Sequence, residues 1–72
     1  MTVILDATGL SCPMPVLKAK KALGGIADGD ALKLLSTDPG SKSDIPAFCS
    51  ATGHTLEESG EEDGVFTYLI RK

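Results

Sequence analysis

Gly9-Leu10-Ser11-Cys12-Pro13-Met14-Pro15-Val16 is the stretch from which the rest of the chain can be read. Proline is accepted in the first turn of a helix, where backbone N–H groups have no intrahelical partner, and disfavoured further in. Pro13 and Pro15 therefore pin a helix start at Cys12 or at Ser11. Upstream, Val3-Ile4-Leu5 is a β-forming run that ends at Asp6, so residues 2–6 read as a strand and Ala7-Thr8-Gly9 as the turn. The cysteine thus stands at a strand-to-helix junction.

Downstream, the helix is expected from about Pro13 to Leu23, with Val16, Ala19 and Leu23 on one face, Leu17 beside it, and Gly24-Gly25 as its stop. Asp28-Gly29-Asp30 is a turn, and Ala31–Ser36 reads as a second strand. A helix between two strands allows a parallel crossover. Thr37-Asp38-Pro39-Gly40 is a further turn, with Asp38 as turn-former. A second helix is expected from near Asp44, with Ser43 as its cap, which puts Pro46 at the third helical position. Ile45, Phe48, Cys49 and Thr52 share one face of it, and Gly53 ends it. His54 is expected to open a weak strand over 55–59. Gly60–Gly64 is a connector and Val65–Ile70 a strong strand. The order β-α-β-α-β-β predicts an α+β two-layer sandwich, a four-stranded mixed sheet with two helices on one face. Residues 1–72 read as one domain.

Composition narrows the function classes. Net charge is −3 and only Phe48, Phe66 and Tyr68 are aromatic, which argues against direct nucleic-acid binding, a task that needs clustered Lys and Arg. No run is long and apolar enough for a bilayer, and the start lacks the basic-then-apolar pattern of a signal peptide. Two cysteines are no disulfide framework, so the expected location is cytoplasmic. Two Cys and one His, widely spaced, form no zinc pattern, and no cofactor or metal is expected.

The chemistry points to Cys12. At a helix start its sulfur meets the positive end of the helix dipole, worth about 0.3 to 2 kcal/mol to an anion, which favours thiolate over thiol. Pro13 and Pro15 carry no N–H, so Met14 is the only first-turn capping donor in either register. Gly9, Pro13, Met14 and Pro15 are the expected shapers of this site. Cys49, on an apolar helical stripe, reads as core. Lys18, Lys20 and Lys21 cluster on the first helix, while Glu57, Glu58, Glu61, Glu62 and Asp63 crowd a later segment. Both groups suit solvated surfaces. The sharper expectation is that Lys18 and Lys21 form a basic docking face beside Cys12 for a larger partner.

Gly9-Leu10-x-Cys12-Pro13-x-Pro15, Thr37-Asp38-Pro39, Asp44-Ile45-Pro46-x-Phe48-Cys49, Gly53-His54 and the closing Tyr68-Leu69-Ile70-Arg71-Lys72 resemble the TusA-like (SirA-like) sulfur-carrier family over nearly the whole chain. Cys-Pro-x-Pro is the most specific part. The resemblance implies the same β-α-β-α-β-β sandwich and a sulfurtransferase in the sense of a protein persulfide carrier. Cys12 would accept sulfane sulfur from a cysteine desulfurase or rhodanese-like donor and pass it to a downstream acceptor protein. Routes in the family include thiolation of the tRNA wobble uridine, molybdenum-cofactor assembly and sulfur oxidation. Two other classes compete: a thiol redox protein, which needs Cys49 as resolving thiol, and a regulatory binding module that needs no sulfur chemistry.

Overall fold

Alternation along four short segments builds the sheet. The computed structural model describes residues 2–11 and 14–72. Its elements are β1 (Thr2–Ala7), α1 (Met14–Gly24), β2 (Ala31–Ser36), α2 (Ser41–Thr52), β3 (Thr55–Glu62) and β4 (Val65–Arg71). The strand order is β1-β2-β4-β3, with β1 and β2 parallel and the other two pairs antiparallel. The parallel pair requires a crossover, which α1 supplies.

The register puts Val3, Leu5 and Ala7 beside Leu32, Leu34 and Ser36, and these beside Ile70, Tyr68 and Phe66. That face is covered by both helices. α1 buries Pro15, Ala19 and Leu23 on it, and α2 buries Ser41, Ile45 and Cys49. The alternate positions form the open face, where Ile4 is 66% exposed. The expected two-layer mixed-sheet architecture is therefore present. Ile45, fully buried, anchors α2 to this core, and truncating such a side chain to Ala costs about 2 to 5 kcal/mol.

Three local expectations need correction. α1 presents Pro15, Ala19 and Leu23 to the core with Val16 and Ala22 partly buried, whereas Leu17 is left 51% exposed. The helix turns its Pro15 edge inward because Pro15 fills space above the sheet and needs no hydrogen-bond acceptor.

α2 begins at Ser41, not near Asp44, and Pro46 lies inside it. The start comes from the preceding turn. The Asp38 carboxylate accepts the Gly40 N–H at 3.1 Å, and the amides of Ser41 and Lys42 reach back to Asp38 and Pro39 carbonyls. Asp38 is thus a turn-former as expected. Ser41 is drawn in by a 2.7 Å hydroxyl bond to Tyr68, and that buried tie outweighs the local preference for a later cap. Pro46 then forgoes one helical hydrogen bond on an exposed position.

β3 runs to Glu62, beyond the expected Ser59. Asp63 (φ 51°) and Gly64 (φ 79°) both take left-handed backbone, the geometry of a two-residue type I′ hairpin. β4 templates the weaker strand along its length, with a register shift between Leu56 and Glu58.

His54 closes α2 immediately before β3 begins. Gly53 is left-handed (φ 79°), and the N–H groups of Gly53 and His54 both reach the Cys49 carbonyl, a helix-ending motif that here stacks the His54 ring on Phe48 at 5.9 Å. The Thr52 hydroxyl lies 2.7 Å from the Phe48 carbonyl and 2.6 Å from His54 Nδ1, tying the ring to the last turn of α2.

Candidate functional site

β1 and β2 end side by side, at Ala7 paired with Ser36. The segments that leave them, 8–11 and 37–40, emerge at that end of the sheet. β1 hands over to α1 through a tied loop. Asp6 Oδ1 accepts both the Thr8 hydroxyl at 2.6 Å and the Thr8 N–H at 2.9 Å. These bonds, the hydroxyl first, hold the Asp6 carboxyl below its ordinary range. Leu10 N–H reaches the Ala7 carbonyl at 3.3 Å. Gly9 has φ 81°, a left-handed conformation that any side chain would strain, and its N–H is accepted by the Thr37 hydroxyl at 2.8 Å.

Cys12 and Pro13 lie outside the described residues. Around them, Met14 begins α1 and is 41% exposed, while Pro15 is buried in the core. Pro15 therefore acts on this segment by fastening the first turn of α1 to the sheet. One expectation changes: the Met14 N–H is donated to the Ser11 carbonyl at 2.9 Å. The amide read from sequence as the first-turn capping donor is already engaged in a tight turn. The dipole of α1 remains, with no acidic residue in its first turn to oppose it.

Lys18 and Lys21 come together on α1. With Val3, Leu5, Ala22, Gly25 and Ile26 they line an open groove of about 370 Å³ between α1 and the free edge of β1. Its floor is apolar and its rim basic. Lys21 lies in the last turn of α1, about 10 Å along the helix axis from Met14. Exposed Met14 and Leu17 extend the apolar surface toward the start of the helix. A partner resting on this side of α1 would meet apolar and cationic groups together.

Cys49 is 2% exposed and unpaired, and burial pushes its thiol pKa up. It is a core residue, as its helical stripe suggested. His54 stands at the other end of the sheet from the Gly9 loop. Thr55 pairs with Arg71, while Phe66 pairs with Ser36, and the intervening length of β4 spans about 17 Å. Among the described residues no group of three or more His, Cys, Asp or Glu side chains is placed to hold a metal ion. Among them, too, no helix is long and apolar enough to cross a membrane.

The Thr37–Gly9 bond escaped the sequence reading. Thr37 sits in a turn-forming Thr-Asp-Pro run, and only the pairing of β1 with β2 brings its hydroxyl to an amide 28 residues away.

The described residues form a two-layer α+β domain in which a tied loop after β1 precedes α1. The chain belongs to the sulfurtransferase TusA family, whose sequence profile matches residues 3–72. It is 52% identical over 67 residues to a putative sulfur carrier protein of Neisseria meningitidis, covering 93% of this chain and 90% of the relative. It is also 52% identical over 68 residues to the sulfur carrier protein TusA of Allochromatium vinosum, covering 94% and 90% of the two chains. The crystal structure of a SirA-like protein from Desulfitobacterium hafniense superimposes with a TM-score of 0.85 at 32% identity, covering 99% of this chain and 96% of that one.

Proposed function

We propose that this protein is a sulfur carrier that accepts sulfane sulfur on Cys12 and relays it to an acceptor protein. The observation that carries the reading is the family match over residues 3–72, which includes the Cys12-Pro13-Met14-Pro15 element at the start of α1. The donor is a cysteine desulfurase or a rhodanese-like protein. The acceptor belongs to a sulfur-trafficking route such as thiolation of the tRNA wobble uridine.

In the loading step the Cys12 thiolate attacks the outer sulfur of the donor's persulfide. A new S–S bond forms on Cys12, the donor's own S–S bond breaks, and the donor leaves as a thiolate. Cys12 then carries the persulfide, with no net oxidation and no other reactant. The short loop and the dipole of α1 favour the attacking thiolate. Lys18 and Lys21 dock the larger partner along the groove beside α1, adding long-range attraction to an apolar contact. A thiol-redox role fits less well, because Cys49, the only other cysteine, is buried with a raised pKa and is a poor resolving thiol.

Incubation with a cysteine desulfurase and cysteine should add one sulfur atom, mapped to Cys12 by intact mass and peptide analysis. Cys12→Ser should abolish the gain with little change in stability. Sulfur found on Cys49, or retained in Cys12→Ser, would overturn the assignment.

A further inference from the structure

We propose that Thr37 is a positioning residue for sulfur loading, its side-chain hydroxyl holding the loop that leads into Cys12 through the Gly9 amide. The inference rests on the reading of Cys12 as the sulfur-accepting thiol.

The described bonds donated by the 8–10 segment are of two kinds. The Thr8 amide and hydroxyl turn back to Asp6, and the Leu10 amide to Ala7, all within a few residues of the same strand end. These set the curl of the loop but not its direction relative to the rest of the molecule. The Gly9 N–H to Thr37 Oγ1 bond, at 2.8 Å, crosses from this loop to a different connector. Cys12 follows Gly9 by three residues, so the direction in which the chain leaves Gly9 governs where the thiol is delivered.

Thr37 is well suited to this task because its own backbone is held on both sides. Ser36 before it is fully buried, and its hydroxyl accepts the Asp38 N–H at 3.1 Å. Asp38 after it caps the turn into α2 through Gly40, and Ser41 fastens that turn to Tyr68 in the core. The Thr37 hydroxyl is therefore an exposed acceptor on a backbone referenced to β2 and α2, presented to the loop that follows β1. Gly9 must be left-handed to turn its amide toward that acceptor, and φ 81° meets the requirement without strain only in glycine. Among the described residues a Cβ on Gly9 would meet nothing within 4 Å, so the demand that they place on this position comes from backbone direction and not from crowding.

Thr37→Val keeps the branched shape and removes the acceptor. Thr37→Ser keeps the acceptor. Loading from a cysteine desulfurase should fall about three- to tenfold at saturating donor in Thr37→Val, the range spanned by one lost hydrogen bond. The donor concentration for half-maximal rate should change less than about twofold, because the groove lined by Lys18 and Lys21 is untouched. Thr37→Ser should restore at least half of the rate. Hydrogen exchange at the Gly9 amide should speed up in Thr37→Val and not in Thr37→Ser. Equal loading by wild type and Thr37→Val, equal rates for the Val and Ser variants, or unchanged Gly9 exchange would each overturn the inference. Failure of the wild type to load at all would instead overturn the carrier reading, and Gly9 exchange would still decide the Thr37 contact.

Discussion

Tyr68→Phe removes one oxygen from the middle of the molecule and tests how α2 is held to the sheet. Tyr68 is 3% exposed and Ser41 1% exposed, and their hydroxyls lie 2.7 Å apart. With the phenol gone, the Ser41 hydroxyl is left buried without this partner, a loss that costs about 1 to 3 kcal/mol. Ser41→Ala strands the phenol in the same way at a similar cost. The double variant replaces both groups by apolar ones of nearly the same shape. It should lose only the net worth of the bond, about 0.5 to 1.5 kcal/mol, and so cost less than the sum of the single changes. For a domain of this size each kcal/mol lowers Tm by about 4 to 8 °C, so the single variants should melt roughly 4 to 24 °C early. Urea unfolding followed by circular dichroism gives all three differences, with the slope against denaturant unchanged. A single-variant cost below about 0.5 kcal/mol, or strict additivity in the double variant, would refute the view that this bond sets where α2 begins.

Other perturbations read other parts of the molecule. Lys18→Glu with Lys21→Glu should slow sulfur loading at low salt, approach wild type as salt screens the charges, and shift stability by no more than about 1 kcal/mol; equal rates at low ionic strength would rule out the docking role. Burial raises the Cys49 pKa above its ordinary value of 9.0, so this thiol's contribution to stability is complete below that pH and is lost as pH rises past it. Wild type should therefore lose more stability than Cys49→Ala between neutral and strongly alkaline pH, as denaturant midpoints would show; parallel curves would contradict the burial. The Arg71 guanidinium, hydrogen-bonded at 2.9 Å, lowers the Glu57 pKa below 4.5, so its contribution is present above that pH and fades as pH falls through the depressed value. The gap in Tm between wild type and Glu57→Gln should close on acidification, and a gap that widens would contradict the pairing.

Much of the fold is legible because its signals are local. Pro13 and Pro15 mark a helix start through their missing N–H groups, Val3-Ile4-Leu5 and Val65–Ile70 declare strands by side-chain type, and Ile45 and Cys49 reveal an inward stripe by their spacing. The order of elements follows from such features alone. The tertiary structure decided what no short window contains. α2 starts at Ser41 because Tyr68, 27 residues later, takes up its hydroxyl in the core. β3 extends to Glu62 because a stronger neighbour pairs with it and the Asp63-Gly64 turn closes the hairpin. Lys18 and Lys21 share a groove only because α1 lies along the edge of β1. The Gly9 loop takes its direction from Thr37 because parallel pairing sets the two strand ends together. In each case a buried or long-range hydrogen bond, or a shared surface, outweighs a local preference worth a fraction of a kcal/mol to about 1 kcal/mol, and such partners are chosen only when the sheet assembles.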